Sequence, residues 1–228
     1  GLPKKNILPL LGKPVLGYTA EAAQHARTLD RIILSTDSEE IAQVGREYGL
    51  EVPFLRPDNL STDTAHPTAV LEHALSFLEE TEGYSADVVV TLQPTSPLRK
   101  ASDIDSTVDL LLGQDKLDSV ITVEEVHIPP FWMFRSSEGI LKSFTDDGVN
   151  YSLRRRQELE QIYQQTGAVY ATRRWLLKER GIIFSAYDGG NTGYVLMDSI
   201  SSLEIDTQAD FQLIEAVMQG QARLGTTQ

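Results

Sequence analysis

The chain has 228 residues, 41% of them hydrophobic and 23% charged, which is typical of one α/β domain with a sizeable core. Its formal net charge of −13 would repel nucleic acid, so a broad nucleic-acid-binding surface is not expected. The lack of cysteine excludes disulfides, thiol nucleophiles and cysteine-ligated metals. The sequence shows no signal peptide and no apolar run of about 18 residues. It therefore predicts a cytoplasmic protein without a membrane span.

The first half of the chain alternates short strands with helices. Ser38 and Ser102 each precede a run of helical periodicity and are the predicted N-caps. The alternation with short connectors predicts a mostly parallel sheet with helices on both faces. In chain order, the predicted elements are a strand at 31–37, a helix at 38–50, an extended segment at 51–57, a helix at 68–83, a strand at 86–93, a helix at 101–114 and a strand at 119–126.

The second half of the chain is less regular. Pro129 and Pro130 cannot donate hydrogen bonds to a sheet, so the segment around them is not a central strand. We expect region 127–166 to be an excursion from the sheet, such as a dimerisation arm. Beyond it, the predicted elements are a strand at 167–172, a helix at 173–181 and a final helix from about Gln208.

Polar side chains follow two of the predicted strands. The strand at 31–37 ends in "STD", and "LQPTSPLR" at 92–99 follows the strand at 86–93. Ligands of open α/β sheets bind outside the carboxyl ends of the strands. The two polar segments are therefore expected to line one edge of the sheet and to form a ligand site.

Basic residues near the start of the chain admit two interpretations. Lys5 could neutralise a phosphate and Asn6 could hydrogen-bond a base or a phosphate, or both belong to a solvated basic end. Arg56, in "FLRP", is either a ligand contact or an ordinary surface arginine. The small polar residues of "STDTAHP" at 61–67 offer main-chain N–H groups to a ligand or form a simple turn.

Two later clusters of charged residues also admit two interpretations each. The "RRRQ" stretch at 154–157 could bind a carboxylate through the two-pronged guanidinium, or form a solvated face. Glu204 and Asp206 project to the same side of an extended segment and could share Mg²⁺ through oxygen ligands. The alternative is a pair of acidic residues leading into a helix N-terminus.

Taken together, these stretches resemble the acylneuraminate cytidylyltransferases, the CMP-sialic acid synthetases. The resemblance covers almost the whole chain, and its pieces occur in the order of that family. The matching pieces are "GLPKKNILPLLGKPVLGYTAEAA", "IILSTDSEEIAQVGREYGLEVPFLRP", "STDTA", "LQPTSPLR", "RRRQ", "GAVYAT" and "IDTQADF".

The resemblance implies a Rossmann-like (GT-A-like) nucleotidyltransferase fold over residues 1–228 and a homodimer. It implies transfer of CMP from CTP to the anomeric hydroxyl of a nine-carbon 2-keto sugar acid, with Mg²⁺, or Mn²⁺ in its place. No nucleic acid or membrane partner is implied. Animal members can carry an additional phosphatase-like domain, for which 228 residues leave no room.

The resemblance also assigns roles to individual residues. Asp206, Gln93 and Lys5 are the implied catalytic residues, and Glu204 with Asp206 are the implied metal ligands. The residues implied to contact the sugar acid are Gln93, Arg156, Gln157, Tyr170 and Phe184, with Arg156 and Gln157 expected to reach the sugar acid of the partner subunit. The residues implied to contact the nucleotide are Lys5, Asn6, Arg56, Thr64 and Ala65 of the "DTA" at 63–65, Thr95, Ser96 and Arg99.

The sequence departs from the family pattern in three places. The family begins with a strand and a phosphate-binding Ala-Arg-Gly-Gly-Ser-Lys loop, which we expect to precede Gly1. Glu204 stands where an Asp is commoner. Gln164 and Thr166 replace an Arg and an Asn, so the sugar could also be KDN, legionaminate, pseudaminate or the eight-carbon KDO. A non-catalytic nucleotide-sugar binding module is the alternative to an enzyme.

Overall fold

The computed structural model describes residues 2–62, 64–145 and 148–225. Its helices are α1 (Val15–His25), α2 (Glu39–Glu47), α3 (Pro67–Glu82), α4 (Ala101–Leu112), α5 (Arg174–Arg180) and α6 (Gln208–Gly225). Its strands are β1 (Pro9–Leu10), β2 (Lys13–Pro14), β3 (Val88–Thr91), β4 (Ser119–Glu125), β5 (Phe134–Ser137), β6 (Ile140–Ser143), β7 (Tyr163–Arg173) and β8 (Thr192–Leu196).

The central sheet is mixed, with the strand order β3-β7-β4-β8. β7 pairs antiparallel with both β3 and β4, and only β4 and β8 pair in parallel. The α/β class is therefore confirmed, whereas the prediction of a mostly parallel sheet is corrected. The reason is the 11-residue β7, which enters between β3 and β4 in the opposite direction.

The two faces of the sheet are covered differently. On one face, Val120 of β4 and Ala171 of β7 pack with Val108 and Leu111 of α4. On the other face, Ile121, Val123 and Tyr170 pack against Ile183 and Phe184, which follow α5 in the chain. Neighbouring residues of one strand point to opposite faces, so β4 and β7 carry both a helix layer and a second, aromatic surface.

The predicted helix caps have different outcomes. Ser38 is the N-cap of α2, and its side chain accepts a hydrogen bond from the Ile41 N–H at 3.3 Å. The prediction of Ser102 as the N-cap of α4 is wrong, because Lys100 occupies that position. The Asp103 carboxylate accepts the Lys100 backbone N–H at 2.8 Å, so the helix begins two residues earlier than capping by Ser102 would require.

An apolar cavity lies between the 31–35 segment and β3. The predicted strand at 31–37 is reduced to one parallel bridge, from Ile33 to Glu51, and β3 is at the edge of the four-stranded sheet. The cavity has a volume of about 380 Å³. Its lining includes residues of both segments and of the helices around them, among them Ile32, Leu34, Leu75, Leu78, Val89 and Val90.

The excursion predicted at 127–166 contains the antiparallel hairpin β5–β6. Asp146 and Asp147 in this region lie outside the described residues. Apolar side chains here face solvent, and Phe134, Ile140 and Leu141 are each more than 60% exposed. Its assignment as a dimerisation arm stays a prediction.

The helices of the described residues are all too short or too polar to cross a membrane.

Candidate active site

The loop after β3 joins the segment that carries the two predicted metal carboxylates. The Ile205 backbone N–H donates to the Thr95 carbonyl at 2.8 Å. Thr95 Oγ1 donates to Glu204 Oε1 at 2.7 Å. Two segments that are 109 residues apart are therefore fastened by one backbone and one side-chain hydrogen bond. The structure brings the predicted nucleotide loop and the predicted metal segment together.

Lys5, which is near the start of the sequence, lies at the same junction. Its Nζ donates to Asp206 Oδ1 at 2.8 Å and to the Ile205 carbonyl at 2.9 Å. The Leu2 N–H also donates, more weakly, to the Asp206 carbonyl at 3.3 Å. An ammonium group with two oxygen acceptors is thus placed beside an exposed carboxylate. The site combines a fixed positive charge with an accessible negative one.

Asn6 follows Lys5 in a short 3₁₀ turn, Lys5–Ile7. Its Oδ1 is buried and has no hydrogen-bond partner among the residues that the structure describes. A buried carbonyl oxygen without a donor is costly unless a ligand or water satisfies it. This turn borders a cavity of about 520 Å³ that is lined by Leu2, Lys4, Lys5, Asn6, Ile7, Asp37, Ser38, Glu40 and Ile41.

Arg56 lies next to the end of the "STD" segment. Its Nη2 forms an ion pair with Asp37 Oδ1 at 3.0 Å, and its Nε donates to Ser61 Oγ at 3.3 Å. The Arg56 N–H donates to the Thr36 carbonyl at 2.8 Å. Asp37 also lines the cavity that Lys5 and Asn6 border. It therefore links Arg56 to Lys5 and Asn6, all three of which are predicted nucleotide contacts.

The predicted contacts at Thr64 and Ala65 fall in a turn. The Ala65 N–H donates to the Thr62 carbonyl at 3.0 Å, and the hydroxyls of Thr62 and Thr64 are 3.3 Å apart. Asp63, the first residue of the predicted "DTA", lies outside the described residues. The simple-turn interpretation accounts for the contacts seen here.

Within the loop after β3, the polar side chains are more buried than a solvent-facing loop would require. Thr95 is 5% exposed, Ser96 1% and Arg99 4%. The Ser96 hydroxyl has no hydrogen-bond partner in the described part of the chain. The Arg99 guanidinium is directed into the protein and bonds to protein groups. The loop is thus a packed structural unit, of which Gln93 is the more accessible polar member.

Glu204 is confined by the backbone of β7. A methyl group placed on Gly167 would lie 2.7 Å from Glu204 Oε1, which is too close for an unstrained contact. Three residues further along β7, Tyr170 is mostly buried, and burial raises the pKa of its hydroxyl, with the nearby Glu204 charge adding to the rise. The carboxylate therefore lies between the loop after β3 and β7.

The predicted sugar wall, Tyr170 and Phe184, is assembled as an aromatic stack. The two rings are 6.0 Å apart at an interplanar angle of 20°. The Phe184 ring also contacts Tyr187, whose side chain is 84% exposed, at 5.6 Å. Tyr170 pairs in the sheet with Thr91, the last residue of β3, so the wall begins directly beside the loop.

Arg156 and Gln157 lie in a separate 3₁₀ turn, Arg156–Glu158. Arg156 Nη2 lies 3.4 Å from Glu125 Oε1 and donates to His127 Nδ1 at 3.1 Å. Both partners lie at or just beyond the end of β4, and the Arg156 side chain is about half exposed. The structure does not place these residues against the loop after β3 within this chain, so their predicted reach across a dimer stays a prediction.

The two acidic residues suit a hard cation. Mg²⁺ is commonly held by one or two carboxylates together with substrate phosphates, and Glu204 and Asp206 supply such oxygen ligands. Asp206 is exposed, whereas Glu204 is half-buried and oriented by Thr95. Among the described residues, no cluster of three or more His, Cys, Asp or Glu side chains could hold a metal by itself. The donor set fits a metal that arrives with its substrate.

Two structurally important residues at this site escaped the sequence reasoning. Gly167 has no side chain to suggest a role, and its closeness to Glu204 depends on a contact between segments far apart in the chain. Thr19, in α1, accepts a hydrogen bond from Arg99 at 2.7 Å. The small residues of α1 gave no recognisable signal, although a helix prediction there would have placed Thr19 on its buried face.

Known proteins resemble this chain over nearly its whole length. A family model described as "Cytidylyltransferase" matches residues 1–225. The N-acylneuraminate cytidylyltransferase of Escherichia coli O18:K1:H7 (strain RS218 / NMEC) is 32% identical over 223 residues, which cover 98% of this chain and 50% of that protein. This chain therefore spans half the length of that relative.

Two further proteins match over most of both chains. The CMP-N,N'-diacetyllegionaminic acid synthase of Legionella pneumophila (strain Philadelphia 1) is 32% identical over 226 residues, covering 96% of this chain and 90% of that protein. A solved structure of CMP:2-keto-3-deoxy-manno-octonic acid synthetase complexed with CTP has a TM-score of 0.70 at 17% identity. It covers 96% of this chain and 93% of that chain, and at this identity the likeness shows a shared fold.

Proposed function

Because the chain belongs to the cytidylyltransferase family, we propose that it transfers CMP from CTP to the anomeric hydroxyl of a nine-carbon 2-keto sugar acid, releasing pyrophosphate. The observation that carries the proposal is the junction of Lys5, Thr95, Glu204 and Asp206. It places a cation, a hydroxyl and two carboxylates where the loop after the edge strand meets the start of the chain. Such groups suit a reaction in which phosphate charge must be held and neutralised.

The proposed reaction is an in-line displacement at the α-phosphorus of CTP. The anomeric oxygen of the sugar forms a bond to phosphorus, and the bond from phosphorus to the bridging α,β-oxygen breaks, so pyrophosphate leaves. The anomeric hydroxyl loses its proton in the same process. This chemistry needs positioning and charge neutralisation more than covalent catalysis.

The residues of this chain would divide that work. Lys5 would neutralise phosphate charge, and Gln93 would orient the sugar. Glu204 and Asp206 would hold Mg²⁺, which when bound supplies charge stabilisation at the α-phosphate. Nucleotide contacts are proposed for Asn6, Arg56, Thr64, Ala65, Thr95 and Ser96, and sugar contacts for Arg156, Gln157, Tyr170 and Phe184.

The sequence of one loop narrows the choice of sugar acid within the family. N-acetylneuraminate or a close relative is the first candidate, because the "QPTSP" loop resembles the sialic-acid branch rather than the KDO branch, which generally has an acidic loop there. The relatives bear different sugars in their names, so legionaminate, pseudaminate and KDN belong in the same test.

A direct assay can test the function. The full protein containing this chain would be supplied with CTP, Mg²⁺ and a panel of sugar acids, and pyrophosphate release would be measured. We expect release with at least one nine-carbon acid. An Asp206→Ala variant should lose roughly 100-fold or more in rate, since removing a metal ligand costs several kcal/mol of barrier.

Two outcomes would count against the proposal. Near-normal turnover of a folded Asp206→Ala variant would remove Asp206 from the metal site. No release with any sugar acid, from a folded protein that still binds CTP, would favour a nucleotide-sugar binding module over an enzyme.

A further inference from the structure

Arg99 has an unusual environment for a charged residue. Its side chain is only 4% exposed, and none of the ion pairs within the described residues includes it, although the charge of Asp103 acts on it from farther away. Burial lowers the pKa of its guanidinium to about 10, so the group still carries its charge at neutral pH. Burying a cation without an ion-pair partner costs free energy, which an apolar side chain at this position would not incur.

The guanidinium of Arg99 connects three elements around the site. Nη1 donates to the Gln93 carbonyl at 3.1 Å and to the Ala168 carbonyl at 2.6 Å. Nη2 donates to Thr19 Oγ1 at 2.7 Å. The loop after β3, strand β7 and helix α1 are therefore fastened by one side chain.

The points that Arg99 fastens are adjacent to the residues proposed to contact substrate. The Gln93 carbonyl belongs to the residue proposed to hold the sugar. Ala168 follows Gly167, which confines the Glu204 carboxylate. The Thr19 hydroxyl also lies 3.5 Å from the Pro94 carbonyl. Arg99 and Thr19 therefore each contact a carbonyl of the loop after β3.

We propose that Arg99 is a positioning residue for the transfer reaction: its buried guanidinium fixes the main chain at Gln93 against β7 and α1. It thereby sets where the Gln93 side chain and the Thr95–Glu204 contact lie. The proposal rests on the proposed function. It differs from a direct nucleotide contact because Nη1 and Nη2 both donate to protein acceptors, and the remaining donor, Nε, is buried without a partner among the described residues. Lysine cannot substitute, since one ammonium does not reproduce the planar fork of donors.

The test compares Arg99→Lys with Arg173→Lys. Arg173 also uses its guanidinium to bond backbone carbonyls, those of Leu117, Leu111 and Gln114, but at the far end of β7. Both variants keep the charge and lose the fork. Steady-state kinetics and hydrogen–deuterium exchange of the peptide covering 91–100 are measured for each.

For Arg99→Lys we expect kcat to fall roughly 10- to 100-fold, because small misplacements of reacting groups cost about that much. The KM for CTP should change by less than about threefold, since uniform binding is not what is lost. Amide exchange should rise in the 91–100 peptide and stay unchanged in the β4 peptide. Arg173→Lys should leave kcat and the exchange of 91–100 as they are.

Thr19→Val provides a second variant, because it removes one acceptor while keeping the side-chain shape. It should show the same pattern to a smaller extent, and it decides the question if Arg99→Lys does not fold. Unchanged exchange at 91–100 in the folded variants would overturn the proposal. Absence of turnover in the unchanged protein would overturn the proposed function alone, and the exchange comparison would still decide whether Arg99 holds the loop.

Discussion

The Glu204 carboxylate has little freedom to move. Thr95 Oγ1 holds one of its oxygens at 2.7 Å, and the Gly167 backbone lies so close that a methyl group there would overlap the carboxylate. A carboxylate fixed in this way is oriented before any ligand arrives. Preorganised groups of this kind need not be rearranged during reaction, which is an advantage for charge stabilisation.

Replacing Gly167 with alanine tests this confinement. The added methyl would lie 2.7 Å from Glu204 Oε1, so the carboxylate must shift, and we expect this shift to weaken its hydrogen bond to Thr95. We expect the pyrophosphate-release rate to fall about tenfold or more, and stability to drop by roughly 1–3 kcal/mol, as is usual for overpacking. Enzyme kinetics and a denaturant titration measure the two effects.

Gly220→Ala is the matched control for that substitution. Gly220 lies in α6, and nothing lies within 4 Å of a methyl group added there. Alanine favours a helix by about 0.5–1 kcal/mol over glycine, so this variant should be slightly more stable and fully active. A Gly167→Ala protein with the stability and activity of wild type would show that Glu204 is not confined.

Among the elements, α2 begins beside the cavity of the candidate site. Asp37, Ser38 and Ile41 line the cavity that Lys5 and Asn6 border. The Ser38 side chain satisfies the Ile41 N–H, one of the backbone donors that a helix leaves free in its first turn. This cap therefore determines where α2 begins and, with it, one wall of the cavity.

We expect Ser38→Ala to destabilise the protein by about 1 kcal/mol, the usual cost of removing an N-cap serine. Thermal unfolding followed by circular dichroism measures the change. Ser106, which is exposed in the middle of α4, gives the control, since alanine there should be neutral or slightly stabilising. Equal melting temperatures for Ser38→Ala and wild type would contradict the cap.

Elements with a strong local signal were predictable from the sequence. α2, α3 and β4 have clear periodicity or a continuous apolar run, and the structure places them close to the predicted positions. α1 was missed because much of its buried face consists of small residues such as Ala20 and Ala23. β8 was missed because it is short and only partly buried. The antiparallel entry of β7 could not be predicted, since strand direction depends on long-range pairing.

In the candidate site, too, some residues were predictable from the sequence and others depend on contacts between distant segments. Lys5, Thr95, Glu204 and Asp206 were indicated by the family pattern, and the structure brings them together. The burial of Arg99 was not predictable, because an arginine in a polar loop is ordinarily expected to face solvent. Its position follows from acceptors on β7 and α1, which are distant in sequence.

At the scale of the whole molecule, the net charge of −13 makes copies of the chain repel each other. This repulsion is effective only at low ionic strength, since the screening length falls to about 8 Å at physiological salt. Attraction through apolar surface is not screened in this way. The balance between the two therefore depends on which apolar surfaces the fold leaves accessible.

The cavity beside β3 bears on that balance. β3 is at the edge of its sheet, and its neighbour across the apolar cavity is a segment with a single parallel bridge. An edge strand without a covering element presents backbone donors and acceptors to another chain. For the polypeptide of residues 1–228, we expect self-association that grows with protein concentration and with salt, measured by light scattering.

Val89→Lys should suppress this association, because a charge on an edge strand blocks pairing. Leu213→Lys adds the same charge on the exposed surface of α6 and should suppress it much less. Equal behaviour of the two variants would locate the association elsewhere. If the prediction holds, the edge of β3 that pairs with no strand among the described residues is a template for intermolecular strand growth, and it limits the concentration at which this polypeptide can be handled before it aggregates.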